Sequence, residues 1–263
     1  MKPPQPDLAA SPALDMARLD LGFEDFRHLA VNPHLSPQER IGFPPSYRDG
    51  HESRILTDIL TKLPRLQSDE GLTVVDIGPG CAGLPRLLID LCRERGHCLV
   101  LVDSEEMLAQ LPDVEGVTRK CAGPFPGNHG AVAAAAGGVA DAILCYSVLH
   151  YIYVDYNLFD FVDAVVSLLG PRGRALIGDI PNVSKRRRFF ASETGQRFHM
   201  AFTGTSQPPE VAFNLPSPGK IDDAVLMGLM HRAQLAGCDA WLLPQADDLP
   251  MANRRDDLLF GRP

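Results

Sequence analysis

The residues of this chain best spaced for chemistry lie in VVDIGPGCAGLPRLL, residues 74–88. A hydrophobic run carries an acid, Asp76, near its end, passes through Gly78, Gly80 and Gly83, and opens into apolar-periodic sequence. This reads as a strand-to-helix turn against which a nucleotide-type cofactor lies, because only residues without Cβ allow the backbone so close to a ligand. Gly78-x-Gly80-x-x-Gly83, with Asp103 twenty residues beyond the last glycine, matches the literal dinucleotide pattern. A carboxylate at Asp103 can accept both ribose hydroxyls of a dinucleotide or of S-adenosylmethionine, so these residues alone leave both cofactors open. Asp76 separates them. An added negative charge gains little beside a pyrophosphate, whereas a cationic methionyl sulfonium can use one.

The elements that must position these groups follow from texture. Residues 72–78, 98–103, 141–147 and 174–180 are short, continuously apolar runs, which marks strands covered on both faces and therefore a parallel sheet. LPRLLIDLCRERG, SEEMLAQL and YNLFDFVDAVVSLLG carry helical periodicity between them, giving a doubly wound α/β sheet. NHGAVAAAAGGVA (128–140) is either a short helix or a loop. Residues 181–218 read as an insertion over the carboxyl edge of the sheet, IDDAVLMGLMHRAQLAG as a helix, and DAWLLPQ with DLLFGRP as a terminal antiparallel hairpin. Ahead of the core, residues 1–15 read as a disordered tail and 16–69 as a helical lid, with short helices over 20–33 and 55–63. The 263 residues are 45% hydrophobic and 22% charged, with a net charge of −8, which argues against a general nucleic-acid binder. No stretch approaches the roughly 18 apolar residues of a membrane span, and the N-terminus has no signal-peptide core. Six scattered cysteines without a CxxC read as reduced, buried thiols of a cytoplasmic protein.

Asp76 ahead of the glycine turn, the lid segment before it, CYSVLHYI after the fourth strand and the terminal hairpin together resemble the class I S-adenosylmethionine-dependent methyltransferases over residues 70–263. The resemblance implies a doubly wound, seven-stranded, mostly parallel sheet whose last strand is antiparallel. It implies S-adenosylmethionine as cofactor and S-adenosylhomocysteine as product, with Asp76, Gly78 and Gly80 along the methionyl part and Asp103 on the ribose. KCAGPF (120–125) occupies the adenine side, with Ala122 and Phe125 as candidates, although the usual acid is missing there. Tyr146 and Ser147 match the fourth motif. The expected activity is methyl transfer to an oxygen or nitrogen of a small molecule, with no nucleic-acid or membrane partner. A nicotinamide- or flavin-dependent oxidoreductase and a non-catalytic cofactor-binding module are the alternatives.

Methyl transfer needs a base only when the acceptor must lose a proton. His150, just past the fourth strand, is the candidate for that role, against packing beneath the next helix. Tyr151 and Tyr153 flank it as possible pocket walls. In the lid, Arg48 suits a carboxylate clamp for the methionyl end, with Tyr47 and His51 toward substrate. Lys185, Arg186, Arg187 and Arg188 sit at a helix start, where cations are unfavourable, so they invite either a solvated face or an anionic acceptor. His199 and Lys220 belong to the same cap. Asp179 and Asn182 lack the acid–amide arrangement of a metal site. LSPQERIGFPPSYRDGHE and PQADDLPMANRRDDLLF are similar to bacterial methyltransferases associated with capsule and surface-polysaccharide gene clusters, which implies an anionic small acceptor. Small-molecule acceptors of secondary metabolism are equally open.

Overall fold

The computed structural model describes residues 21–44 and 50–263; Tyr47, Arg48 and the tail 1–15 lie outside them. Seven strands form one sheet in the order β3-β2-β1-β4-β5-β7-β6. They are β1 (Thr73–Ile77), β2 (Cys98–Asp103), β3 (Thr118–Ala122), β4 (Ala140–Tyr146), β5 (Leu169–Pro181), β6 (Asp239–Leu243) and β7 (Arg255–Gly261). The first five run parallel, with Val75 level with Val100 on one side and Ile143 on the other. β7 runs antiparallel to both β5 and β6, which makes the terminal hairpin part of the sheet. This is the doubly wound, seven-stranded architecture expected.

Successive residues of β1 feed opposite layers, as the pleat requires. Val75 and Ile77 pack into one core with Phe161, Val165, Leu226 and Leu229. Val74 packs into the other with Ile55, Ile59, Leu88, Ile89 and Cys92. The helices supplying these side chains include α1 (Phe23–Ala30), α2 (Pro37–Arg40), α3 (Glu52–Lys62), α4 (Arg65–Ser68), α5 (Gly83–Arg95), α6 (Glu105–Leu108), α7 (His129–Ala135), α8 (Leu149–Asp155) and α9 (Leu158–Leu168). After β5 come α10 (Val183–Ala191), α11 (Glu193–Thr203) and α12 (Asp223–Leu235). The ambiguous segment at 128–140 is thus helical over seven of its residues. α5 stops at Gly96, whose φ of 64° is the left-handed C-cap that glycine accepts without strain. All six cysteines are free thiols, and Cys81, Cys92, Cys145 and Cys238 are buried as expected, whereas Cys98 and Cys121 are only partly buried. No helix among the described residues is long and apolar enough to cross a membrane.

Residues 181–218 form α10, α11 and an extended loop, but none of them lines the central cavity. They pack toward the hairpin instead. Asn182 caps α10 by accepting from the backbone of Ser184 at 2.9 Å and Lys185 at 3.3 Å. The basic run is then accounted for inside the molecule. Lys185 Nζ lies 2.8 Å from Asp256, Arg186 stacks over the Phe190 ring, Arg187 donates to Ser217 Oγ at 2.7 Å, and Arg188 pairs with Asp223. Lys185, Arg187 and Arg188 are held by acids and a hydroxyl distant in sequence, while the exposed Arg186 has the Phe190 ring four residues on.

Candidate cofactor site

A cavity opens over the carboxyl ends of β1, β2, β3 and β4. This is where an open α/β sheet places ligands, because the strand order reverses between β1 and β4. Its floor is the glycine turn. Gly78 and Gly80 hold φ of 71° and 66°. A Cβ on Gly78 would lie 2.7 Å from Val148 Cγ2, and one on Gly80 would lie 2.5 Å from Ile41 Cγ2. Both positions therefore demand glycine for backbone and for space.

Asp103 ends β2 beside this turn and lines the cavity. Its carboxylate is aimed by two backbone donors, Gly80 N–H at 2.9 Å and Ser104 N–H at 2.7 Å. Burial nevertheless pushes its pKa up to about 6, against the pull of those hydrogen bonds. Asp76 lies beneath the turn, 3% exposed, and burial with the nearby Asp103 charge pushes it up to about 8. Asp76, expected along the methionyl part, does not itself line the cavity; a positive charge nearby would favour the ionised form of both acids.

The structure brings most of the expected cofactor residues together and separates others. Gly78, Gly80, Asp103, Phe125, Tyr146 and Ser147 line one cavity, with Tyr151 on its lid side. Tyr151 meets Phe26 of α1 edge-on at 4.6 Å. Ala122 is exposed and does not line the cavity; Gly123, Pro124 and Phe125 immediately after it do. His150 is 5% exposed with its ring 3.9 Å from that of Tyr151, and it does not line the cavity either. Tyr153 is exposed, His51 meets Arg54 at 2.9 Å, and His199 lies edge-on to Phe190, all away from the cavity, as is Lys220.

Sequence reasoning missed two acids on the cavity wall. Glu52 opens α3 near Gly83, and Asp155 closes α8, where it accepts from the Phe23 backbone N–H at 2.7 Å and so fastens α1 across the opening. Lone acids at helix ends carry no local pattern. With Asp103 they make the charged lining wholly acidic: among the described residues, no Lys, Arg or His lines the cavity.

No family model matches the chain, and no curated protein matches it. Solved structures do. The plantazolicin methyltransferase BamL, in complex with a triazolic desmethylPZN analogue and S-adenosylhomocysteine, superposes with a TM-score of 0.55 at 12% identity, over 91% of this chain and 99% of that one. The plantazolicin methyltransferase BpumL, in complex with S-adenosylhomocysteine, gives 0.53 at 12% identity over 92% and 96%. A candidate methyltransferase from the Haloferax volcanii complex with the Trm112 methyltransferase activator gives 0.53 at 14% identity over 91% and 98%. The chain therefore has the seven-stranded, Rossmann-like α/β fold of these methyltransferases.

Proposed function

We propose that this cavity binds S-adenosylmethionine and that the protein transfers its methyl group to a small molecule. One observation carries the reading: the cavity is floored by a glycine turn, and its charged lining is acidic throughout among the described residues. That charge complements a cofactor with a cationic sulfonium and is hostile to the pyrophosphate of a dinucleotide. The glycines that spell a dinucleotide pattern thus serve the other cofactor. The plantazolicin enzymes with the same fold were solved with S-adenosylhomocysteine, which supports the reading.

In this arrangement Phe125 and Pro124 flank the adenine, Asp103 takes the ribose hydroxyls, and the backbone at Gly78 and Gly80 lies along the methionyl part. The bound cofactor supplies an electrophilic methyl group. The chain's contribution is alignment and the exclusion of water, for which the apolar lid residues Phe23, Phe26 and Phe43 are suited. A cytoplasmic setting, in surface-polysaccharide or secondary metabolism, belongs to the same proposal. The anionic acceptor suggested by the basic run does not: Lys185, Arg187 and Arg188 are engaged away from the cavity, whose charged lining among the described residues is acidic.

Thermal unfolding with S-adenosylhomocysteine, NAD and NADP tests this. S-adenosylhomocysteine should raise the Tm by several degrees while the dinucleotides leave it in place. Asp103→Asn should weaken S-adenosylhomocysteine binding about tenfold or more, by analogy with other charge-assisted hydrogen bonds, without loss of the fold. Stabilisation by NAD alone, or unaltered affinity in Asp103→Asn, would overturn the assignment.

A further inference from the structure

Among the described residues, the acids on the cavity wall are Glu52, Asp103 and Asp155. Backbone N–H groups hold Asp103 and Asp155, whereas the Glu52 carboxylate has no hydrogen-bond or ion-pair partner among those residues. Cations on its own helix and on α5 are directed elsewhere. Arg54 pairs with Asp248 at 3.6 Å and meets His51 Nδ1 at 2.9 Å, and Arg86 donates to the Gln110 carbonyl at 2.7 Å. An acid in a first turn favours its own helix, which accounts for a glutamate at this position but not for its direction. The side chain leaves α3 toward the start of α5. A Cβ on Gly83 would lie 3.1 Å from Glu52 Cγ and 3.2 Å from its Cδ and Oε1. The third glycine of the turn thus leaves room for this carboxylate.

The sheet order places Glu52 with respect to the cofactor. Gly123, Pro124 and Phe125 follow β3, Asp103 ends β2, and the glycine turn follows β1, so these groups succeed one another across adjacent strands. With adenine at the first and ribose at the second, the methionyl part runs over the third. Ala82 and Leu84, on either side of Gly83, line the cavity just past that turn. Glu52 therefore stands at the end away from adenine, where the amino-acid end of S-adenosylmethionine belongs. Two groups of that molecule are cationic. The sulfonium is joined to the ribose and stays near Asp103, whereas the ammonium lies at the far end of the methionyl chain.

We propose that Glu52 receives the α-ammonium of the methionyl end, which donates an N–H to its carboxylate in a charge-assisted hydrogen bond. A residue of the lid segment, outside the glycine turn, then selects ligands that carry an amine at that end. The inference rests on the cofactor reading above, and two adenosine thioethers separate the two. 5′-Methylthioadenosine keeps the adenine, ribose and sulfur and ends in a methyl group. S-adenosyl-3-thiopropylamine extends the same sulfur by a propyl chain bearing an ammonium, with no carboxylate.

Calorimetric titration of the whole protein should show the amine binding about tenfold or more tighter than 5′-methylthioadenosine, the range of a hydrogen bond between charged groups. Added methylenes contribute to that preference, so the decisive quantity is its change in a variant. Glu52→Gln keeps the length of the side chain and removes its charge. It should lower the ratio of the two affinities about fivefold or more, because the charge-assisted bond is lost. Equal affinities in the parent protein would overturn the ammonium assignment while the cofactor reading stands. So would the same ratio in Glu52→Gln, including a loss shared equally by both ligands, which would make Glu52 a support of the turn. If neither thioether nor S-adenosylhomocysteine binds the parent protein, the cofactor reading fails and the ammonium assignment falls with it.

Discussion

Asp76 and Asp103 are the residues on which the cofactor reading turns, and their titration gives it a physical consequence. Burial raises Asp76 from 3.8 to about 8 and Asp103 from 3.8 to about 6. The folded, ligand-free protein therefore binds more protons than the unfolded chain between about pH 4 and pH 8, and its stability is lost as the pH rises through that window. A cationic ligand reverses the preference of both groups, since positive charge nearby favours the ionised carboxylates. Binding of S-adenosylmethionine should accordingly release protons near pH 7 and tighten from pH 5 to pH 8. Titration calorimetry in phosphate and in Tris, whose ionisation enthalpies differ, reads the released protons directly. Identical heats in both buffers would mean that the two acids do not respond to the ligand. Asp76→Asn should remove most of the released protons, because Asp76 is the group still protonated at neutral pH.

At the scale of elements, the glycine turn and the lid approach each other at Gly80. A Cβ on Gly80 would come within 2.5 Å of Ile41 Cγ2, just past α2, and would also force a left-handed φ of 66° on alanine. Gly80→Ala should destabilise the protein by about 2–3 kcal/mol in urea unfolding, the sum of backbone strain and overpacking. Adding Ile41→Ala should recover the steric part and leave the backbone part, giving a favourable coupling in the double-mutant cycle. Simple additivity would show that the lid does not press on the turn. The turn itself was legible in the sequence because glycine spacing and continuous apolar strands are local signals. β3 was not: TRKCA is an edge strand, and its polar residues face outward without an apolar run to announce them. The ion pairs of α10 depend on Asp223 and Asp256, distant in sequence, so from its own neighbourhood the basic run could be read only as a solvated face or an anion site. His150 sits beside Leu149 and two residues before Ile152 on the buried side of α8, and which way that short helix faces is decided by packing rather than by the motif. The left-handed backbone of Ser147 and Asp179 has no glycine to mark it.

Across the whole molecule, a buried charge network joins α3 to the last strand. Lys62 on α3 lies 2.5 Å from Asp58 and 2.7 Å from Asp257 of β7, all three being less than a tenth exposed. Asp257 in turn holds the Asp179 backbone, and Asp179 accepts from Ser147 on the cavity wall, so α3 of the lid segment, the last strand and that wall of the cavity are joined. Such a network adds little net stability when intact, yet breaking it from one side is costly, because the remaining charges stay buried without compensation. Lys62→Met keeps the length and apolar stem of the side chain and removes only the ammonium. It should destabilise the protein by about 3–5 kcal/mol. The pH dependence identifies the cause. Asp257 already titrates near about 6, with burial raising it and Lys62 lowering it. Removing Lys62 raises it further, so the folded variant gains protons relative to the unfolded chain and loses stability as the pH rises. Urea unfolding should therefore show a larger loss for Lys62→Met at pH 8 than at pH 5, and Asp257→Asn in the same background should narrow the difference. An equal loss at both pH values would assign the effect to packing and remove the network from the account of how the last strand supports the site.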